Sequence, residues 1–171
     1  MQPPNPDPEF RTRKRLRFVV VTLLILAAGT LSAFANPAIQ TNHTTYPVTG
    51  IRVDHIMNEF RYNGLNNHWA YTRWHVSWTG HCLVSLEITY IMPEHTRKRD
   101  MPANLRASWD RMMGALWAHE LQHGTHAMNA AQELVNNGCQ NGNAIIAKWQ
   151  EQDRLFDEAT HHGRTQGVIF P

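Results

Sequence analysis

The sequence predicts an α+β fold, in which a small antiparallel sheet packs on a long helix and its antiparallel partner helix. Two observations support this fold class. In the first half of the chain, two neighbouring stretches alternate apolar and polar residues around a glycine turn, as the strands of a β-hairpin do. The second half has two long stretches of helical composition, separated by Asn136-Asn137-Gly138, a sequence that ends a helix.

The first 35 residues have the layout of a secretory signal. A basic run at 11–17 precedes an apolar stretch at 18–28, and Ala33-Phe34-Ala35 is a small-x-small cleavage site. The alternative is an uncleaved membrane anchor, because about 18 apolar residues is the short limit for crossing a bilayer. In either case we expect an exported protein, periplasmic or secreted, that meets the membrane only through this segment.

The basic charge of the chain belongs to this N-terminal segment. Of the 16 Lys and Arg residues, five precede Asn36, against only two of the 14 Asp and Glu residues. The remaining chain is therefore close to neutral, and it has no extended basic surface of the kind that binds phosphate backbones. We predict no nucleic-acid partner.

The chain has two cysteines, Cys82 and Cys139. Disulfides form in oxidising compartments outside the cytosol, so a pair of cysteines in an exported chain indicates one disulfide. This bond would tie the predicted hairpin to the end of the long helix. The alternative is a pair of metal-binding thiolates, but the C-x-x-C spacing typical of such sites is absent.

The expected mature chain begins with a polar segment at 36–45, which we predict to be flexible, and continues as one domain at 46–171. Residues 46–51 predict a short edge strand. Apolar residues recur at helical spacing over 53–60, and Gly64 is placed to end that helix.

The hairpin is predicted from the alternating residues at 69–78 and 82–91. A charged loop with two prolines follows at 93–103. A long helix then begins near Asn104 and ends near Asn136, and a second helix covers 144 to about 160. Because only a short turn separates these two helices, we expect them to pack antiparallel.

The long helix contains the sequence His119-Glu120-Leu121-Gln122-His123. Residues four apart lie on one face of a helix, so both imidazoles can reach one ion. Imidazole suits zinc, and the glutamate of an H-E-x-x-H pattern is placed to act as general base on a water molecule. The pattern predicts a zinc hydrolase with His119 and His123 as ligands and Glu120 as base. Because the chain has 11 histidines, ordinary surface histidines are the alternative.

A catalytic zinc site usually has three protein ligands and one open position. The turn between the two helices lies near residue 139, so residues 157–162 of the second helix return beside the two histidines. This segment contains four residues that could supply the third ligand: Asp157, Glu158, His161 and His162. His126 is a weaker candidate, because one ion seldom binds three positions of a straight helix.

Further motifs accompany H-E-x-x-H in this chain. They are Thr72-x-Trp74-x-x-x-Trp78, Cys82, Pro93, Trp109 and the terminal Asp157-x-x-Thr160-x-His162-Gly163-x-x-Gln166-Gly167. With them, residues 46–167 resemble the bacterial family of predicted secreted zinc-dependent proteases. The resemblance implies a zincin-like peptidase and selects His162 as the third ligand. If Asp157 is not a ligand, it would orient an imidazole through a hydrogen bond.

These observations together predict an exported zinc peptidase that acts on a peptide or protein in the cell envelope. An edge strand of the sheet could bind an extended peptide by strand addition. Two alternatives remain. One is a zinc amidase that acts on peptidoglycan with the same ligands. The other is an envelope-associated binding module, in which four protein ligands would close a structural metal site.

Overall fold

A computed structural model describes residues 36–65 and 68–171, so the predicted signal or anchor at 1–35 lies outside the described residues. The described part is α+β, which confirms the predicted class. Its strands and helices are β1 (Ala38–Val48), α1 (Val53–Asn63), β2 (Tyr71–Trp78), β3 (Val84–His95), α2 (Ala103–Asn136) and α3 (Gly142–Thr160). Among these residues, no helix has the length and apolar character needed to cross a membrane.

The sheet has the strand order β1-β3-β2 and is mixed, not purely antiparallel as the sequence predicted. β2 and β3 form the predicted antiparallel hairpin, with Val76 opposite Leu86. β1 pairs with β3 in parallel, starting with Ala38 beside Ser85. A parallel pair joins segments far apart in sequence, so no local turn signal announces it.

β1 also corrects the prediction for the N-terminal segment. Residues 36–45 were expected to be flexible, but residues 38–45 belong to β1, which extends to Val48 in place of a short strand at 46–51. Most β1 side chains are exposed. The strand is therefore held by backbone pairing with β3, and it lacks the apolar alternation by which a half-buried strand is recognised.

The core lies between the sheet and α2. Alternate residues of β3, from Val84 to Met92, point to this side, and small α2 residues such as Ala127 and Ala131 pack against them. Gly124 lets the two elements approach closely, because a Cβ at this position would lie only 1.9 Å from the hydroxyl oxygen of Tyr90. α2 continues through Gly124 without a break.

α2 and α3 pack antiparallel, as predicted. The end of α2 contacts the beginning of α3, where Glu133 bonds to Lys148. The middle of α2 contacts the end of α3, where His119 bonds to Asp157. The predicted disulfide between Cys82 and Cys139 is confirmed. It connects the β2–β3 turn to the α2–α3 turn, and such a bond is typical of an exported protein.

Candidate metal centre

α2 carries the H-E-x-x-H residues on its buried side. His119, Glu120 and His123 are only 4%, 4% and 8% exposed. The Nε2 atoms of the two histidines lie 3.4 Å apart. The histidines are therefore not ordinary surface residues, and both imidazoles point to one place, as the spacing predicted.

α3 places Asp157 against both imidazoles. Its Oδ1 atom lies 3.1 Å from Nε2 of His119 and 3.2 Å from Nε2 of His123. Ligands bound tetrahedrally at about 2.1 Å from a zinc ion lie roughly 3.4 Å from one another. The three donor atoms thus have the spacing that a small tetrahedral ion requires, and they form a group that could hold a metal ion.

Nδ1 of each imidazole, the nitrogen that faces away from the centre, has a hydrogen-bond acceptor that holds the proton on Nδ1. Nδ1 of His119 lies 2.8 Å from Oε1 of Gln166, and Nδ1 of His123 lies 3.0 Å from Oδ1 of Asp153. A neutral imidazole with its proton on Nδ1 presents the lone pair of Nε2 to the ion. This support from outside the ligand set is the usual arrangement around metal-binding histidines.

The charges around His123 favour a cation at the centre. Burial acts to lower the pKa of His123, but its hydrogen bonds to Asp153 and Asp157 outweigh burial and raise the pKa to about 10. Burial acts to raise the pKa of Asp157, but hydrogen bonds from His119 and His123 hold it well below its usual range. A metal ion bound here would therefore displace a proton from this centre.

Asp153 connects α3 to both α2 and β2. Its Oδ1 atom accepts hydrogen bonds from Nδ1 of His123 and, at 2.7 Å, of His126. Its Oδ2 atom accepts one from Nε1 of Trp74 at 2.6 Å. His123, His126 and Asp153 form a second group that could hold a metal ion. Because both oxygens of Asp153 already accept hydrogen bonds, we interpret it as the residue that orients His123.

Glu120 borders a cleft of about 840 Å³ that also contains the three donor residues. Its Oε2 atom accepts a hydrogen bond of 2.6 Å from Oγ1 of Thr72 on β2. Burial raises the pKa of Glu120, although the bond from Thr72 acts in the opposite direction. A raised pKa makes the carboxylate of Glu120 more basic.

Residues 43–163, most of the chain, match the family described as bacterial protein of unknown function (DUF922). The chain belongs to the DUF922 family. No curated protein and no solved structure matches it. The DUF922 match includes His119, Glu120, His123 and Asp157, and it ends three residues before Gln166.

His162 also lies within the DUF922 match but outside the group of facing donor atoms. Its side chain is 61% exposed, and its Nδ1 atom lies 3.6 Å from Oδ2 of Asp157. His126, the weaker candidate for third ligand on α2, bonds to Asp153 instead. The third donor in this geometry is therefore Asp157, the alternative that the helical-hairpin argument allowed.

Sequence reasoning missed Asp153 and Gln166, although a signal existed for each. Asp153 precedes Asp157 by one helical turn, so the two carboxylates share a face of α3. Gln166 stands in the terminal motif together with Gly163. A Cβ at Gly163 would lie 3.1 Å from Cγ of His119, so glycine allows the chain after α3 to pass close to that imidazole and present Gln166.

Proposed function

We propose that this protein is an exported zinc-dependent peptidase. His119, His123 and Asp157 hold the metal, and Glu120 is the general base. The observation that carries the proposal is the convergence of three donor atoms, 3.1 to 3.4 Å apart, beside a buried glutamate in an open cleft. The disulfide and the predicted signal support a periplasmic or secreted location.

The donor set favours zinc. Two imidazole nitrogens and one carboxylate oxygen are a common protein ligand set for catalytic zinc, and three ligands leave a fourth position for a reactant. A bound zinc ion would supply Lewis acidity, polarising a carbonyl and making water reactive near neutral pH. Since His126 and His162 lie outside the donor set, an open site is favoured over the closed site of a structural metal.

The surrounding residues then have separate roles. Glu120 takes a proton from the attacking water and passes it to the leaving amine. Thr72 holds the carboxylate of Glu120 in place through its hydroxyl. Asp153 and Gln166 keep the protons of the two imidazoles on Nδ1, away from the centre.

The position of β2 favours a peptide as substrate. β2 is an edge strand of the sheet, and its residues Tyr71 and Thr72 line the cleft. The outer edge of such a strand offers unpaired backbone groups, to which an extended peptide can add as a further strand. A peptidoglycan amidase would use the same centre, but the strand edge is better suited to a polypeptide backbone.

The experiment compares the unaltered protein with Glu120→Gln, both isolated from the envelope of a bacterial host. We expect one zinc per chain in both by elemental mass spectrometry, and cleavage of a quenched fluorescent peptide library by the unaltered protein only. Glu133→Gln is the matched control, because Glu133 lies on the same helix and bonds to Lys148 and Trp149 instead. Absence of zinc, or equal cleavage by Glu120→Gln, would contradict the proposal.

A further inference from the structure

We propose that His162 contacts the substrate and not the metal. Its imidazole donates a hydrogen bond to the carbonyl oxygen of the peptide bond that is cleaved. This inference rests on the proposed peptidase function, since it assigns a role in the same cleft. Three features of His162 carry it: its position beside Asp157, the backbone that presents it, and ring nitrogens that have no hydrogen-bond partner among residues 36–65 and 68–171.

The position of His162 is next to the centre but outside it. Oδ1 of Asp157 faces the two metal-binding imidazoles, whereas Oδ2 is the oxygen nearest His162. The 3.6 Å between this oxygen and Nδ1 of His162 is too long for a hydrogen bond. The imidazole therefore lines the cleft beside the ligand set, where an oxygen of a bound substrate would lie within its reach.

The backbone at His162 is strained and firmly held. His161 and His162 have φ angles of 50° and 54°, in the left-handed region that glycine adopts without steric cost. The amide of His162 donates to the carbonyl oxygen of Asp157 at 2.8 Å, and the amide of Gly163 donates to Oγ1 of Thr160 at 3.2 Å. Because glycine at 162 would relieve the strain, the imidazole is not explained by stability.

The ring of His162 has a packing partner but no hydrogen-bond partner in the described part of the chain. His68 packs edge-on against it, with ring centroids 5.1 Å apart. His68 also lines the cleft, so this contact keeps the ring of His162 beside the cleft. A fixed backbone, a supported ring and free ring nitrogens are what a residue needs to donate a hydrogen bond to a transient oxygen atom.

A hydrogen-bond donor at this position would assist the proposed chemistry. During attack by water, negative charge moves onto the carbonyl oxygen of the peptide bond, and a donor beside that oxygen stabilises the transition state more than the substrate. An imidazole has at least one N–H in each of its protonation states. Removal of one such donor typically lowers kcat by about 100- to 1,000-fold.

The test uses zinc-loaded protein and acetohydroxamate, a small probe that binds zinc through its oxygen atoms. His162→Gly is compared with the matched control His161→Gly, since each removes one imidazole from left-handed backbone. Both should raise the melting temperature, because both relieve strain. His162→Gly should keep one zinc per chain and bind acetohydroxamate about tenfold more weakly. His161→Gly should bind it as the unaltered protein does.

A second variant tests the donor itself. Asn tolerates left-handed backbone and carries an N–H donor, so His162→Asn should recover part of the lost probe affinity. Loss of zinc from His162→Gly would overturn the inference by making His162 a ligand. Equal probe affinity in His162→Gly and the unaltered protein would also overturn it.

If the proposed function is wrong, the unaltered protein itself gives a different result in these binding measurements. The unaltered protein would then bind no zinc, or would bind zinc in a closed site that excludes acetohydroxamate. The inference about His162 would fall with it, before any variant is compared.

Discussion

At the residue scale, Asp153 supports the centre from outside the proposed ligand set, because it accepts a hydrogen bond from His123. We expect Asp153→Asn to weaken zinc binding by about 10- to 100-fold, because His123 loses the carboxylate that orients it. Competition with a chromophoric chelator measures this affinity. Glu151→Gln is the control for the change of charge, since Glu151 lies on the same helix and, among the described residues, its side chain bonds only to Arg154. Equal losses of zinc affinity in the two variants would mean that Asp153 acts only through its negative charge.

Thr72 offers a second test, which separates catalysis from metal binding. Its hydrogen bond lowers the pKa of Glu120, so Thr72→Val should raise that pKa further. A base must be deprotonated to act, and we therefore expect the acidic limb of the kcat/KM profile to move to higher pH with zinc content unchanged.

The matched control for this substitution is Thr125→Val. Thr125 is a half-buried residue of α2 whose hydroxyl bonds to the carbonyl oxygen of Leu121 in its own helix. An acidic limb that stays in place in Thr72→Val, or moves equally in Thr125→Val, would show that Thr72 does not tune Glu120.

At the element scale, replacing each of two α2 glycines by alanine should have opposite effects on the stability of the protein. Gly124→Ala should destabilise the protein by about 1–3 kcal/mol, because its methyl group would collide with Tyr90 on β3. Gly114→Ala should stabilise it by roughly 0.5–1 kcal/mol, because nothing lies within 4 Å of a Cβ there and alanine favours helix. Urea unfolding measures both. Stabilisation by both substitutions would mean that α2 and β3 are not packed as closely as described.

The elements that could be predicted from sequence are those with a local signal. The β2–β3 hairpin has alternating residues, α1 has helical spacing, and α2 has the spacing that brings His119 and His123 together. Only the end of β1 was predicted, as part of the short strand at 46–51, because most β1 side chains are exposed and its partner β3 lies far along the chain. Burial supplies the periodic signal, and a strand whose side chains are mostly exposed lacks it.

The residues of the candidate site, like the elements, could be predicted where their signal is local in sequence. His119, Glu120 and His123 follow from a spacing within one helix, whereas Asp157 and His162 are both brought near by the return of α3. The choice between them depends on the last turn of α3, where the backbone changes to left-handed φ at His161 and His162. This change turns His162 away from the donor set. No residue before Gly163 predicts such a change in backbone conformation.

At the scale of the whole molecule, the centre lies where three elements meet. α2 supplies the two histidines and Glu120, α3 supplies Asp157, and β2 supports the centre through Thr72 and Trp74. Donors from separate elements come together only in the folded chain. Metal binding is therefore coupled to folding, and zinc should raise the melting temperature.

The pH dependence of this coupling follows from the pKa of His123, which is raised from 6.5 to about 10. Below pH 10 the metal-free protein holds a proton on His123, and zinc must displace it, so apparent zinc affinity should rise about tenfold per pH unit. The ion pairs of protonated His123 stabilise the metal-free fold fully below pH 6.5 and are lost as pH rises through about 10. Both statements describe the same proton on His123, and its loss enlarges the stabilisation by zinc as pH rises.

We accordingly expect the zinc-induced increase in melting temperature to grow between pH 6.5 and about 8.5, together with release of close to one proton per zinc. Calorimetry in buffers of different ionisation enthalpy measures the proton directly. His126→Gln is a suitable control, because it removes a neighbouring imidazole and leaves the three proposed donor atoms in place. A zinc-induced increase independent of pH would mean that His123 is neutral before the metal binds, and that Asp153 and Asp157 do not hold a proton at the centre.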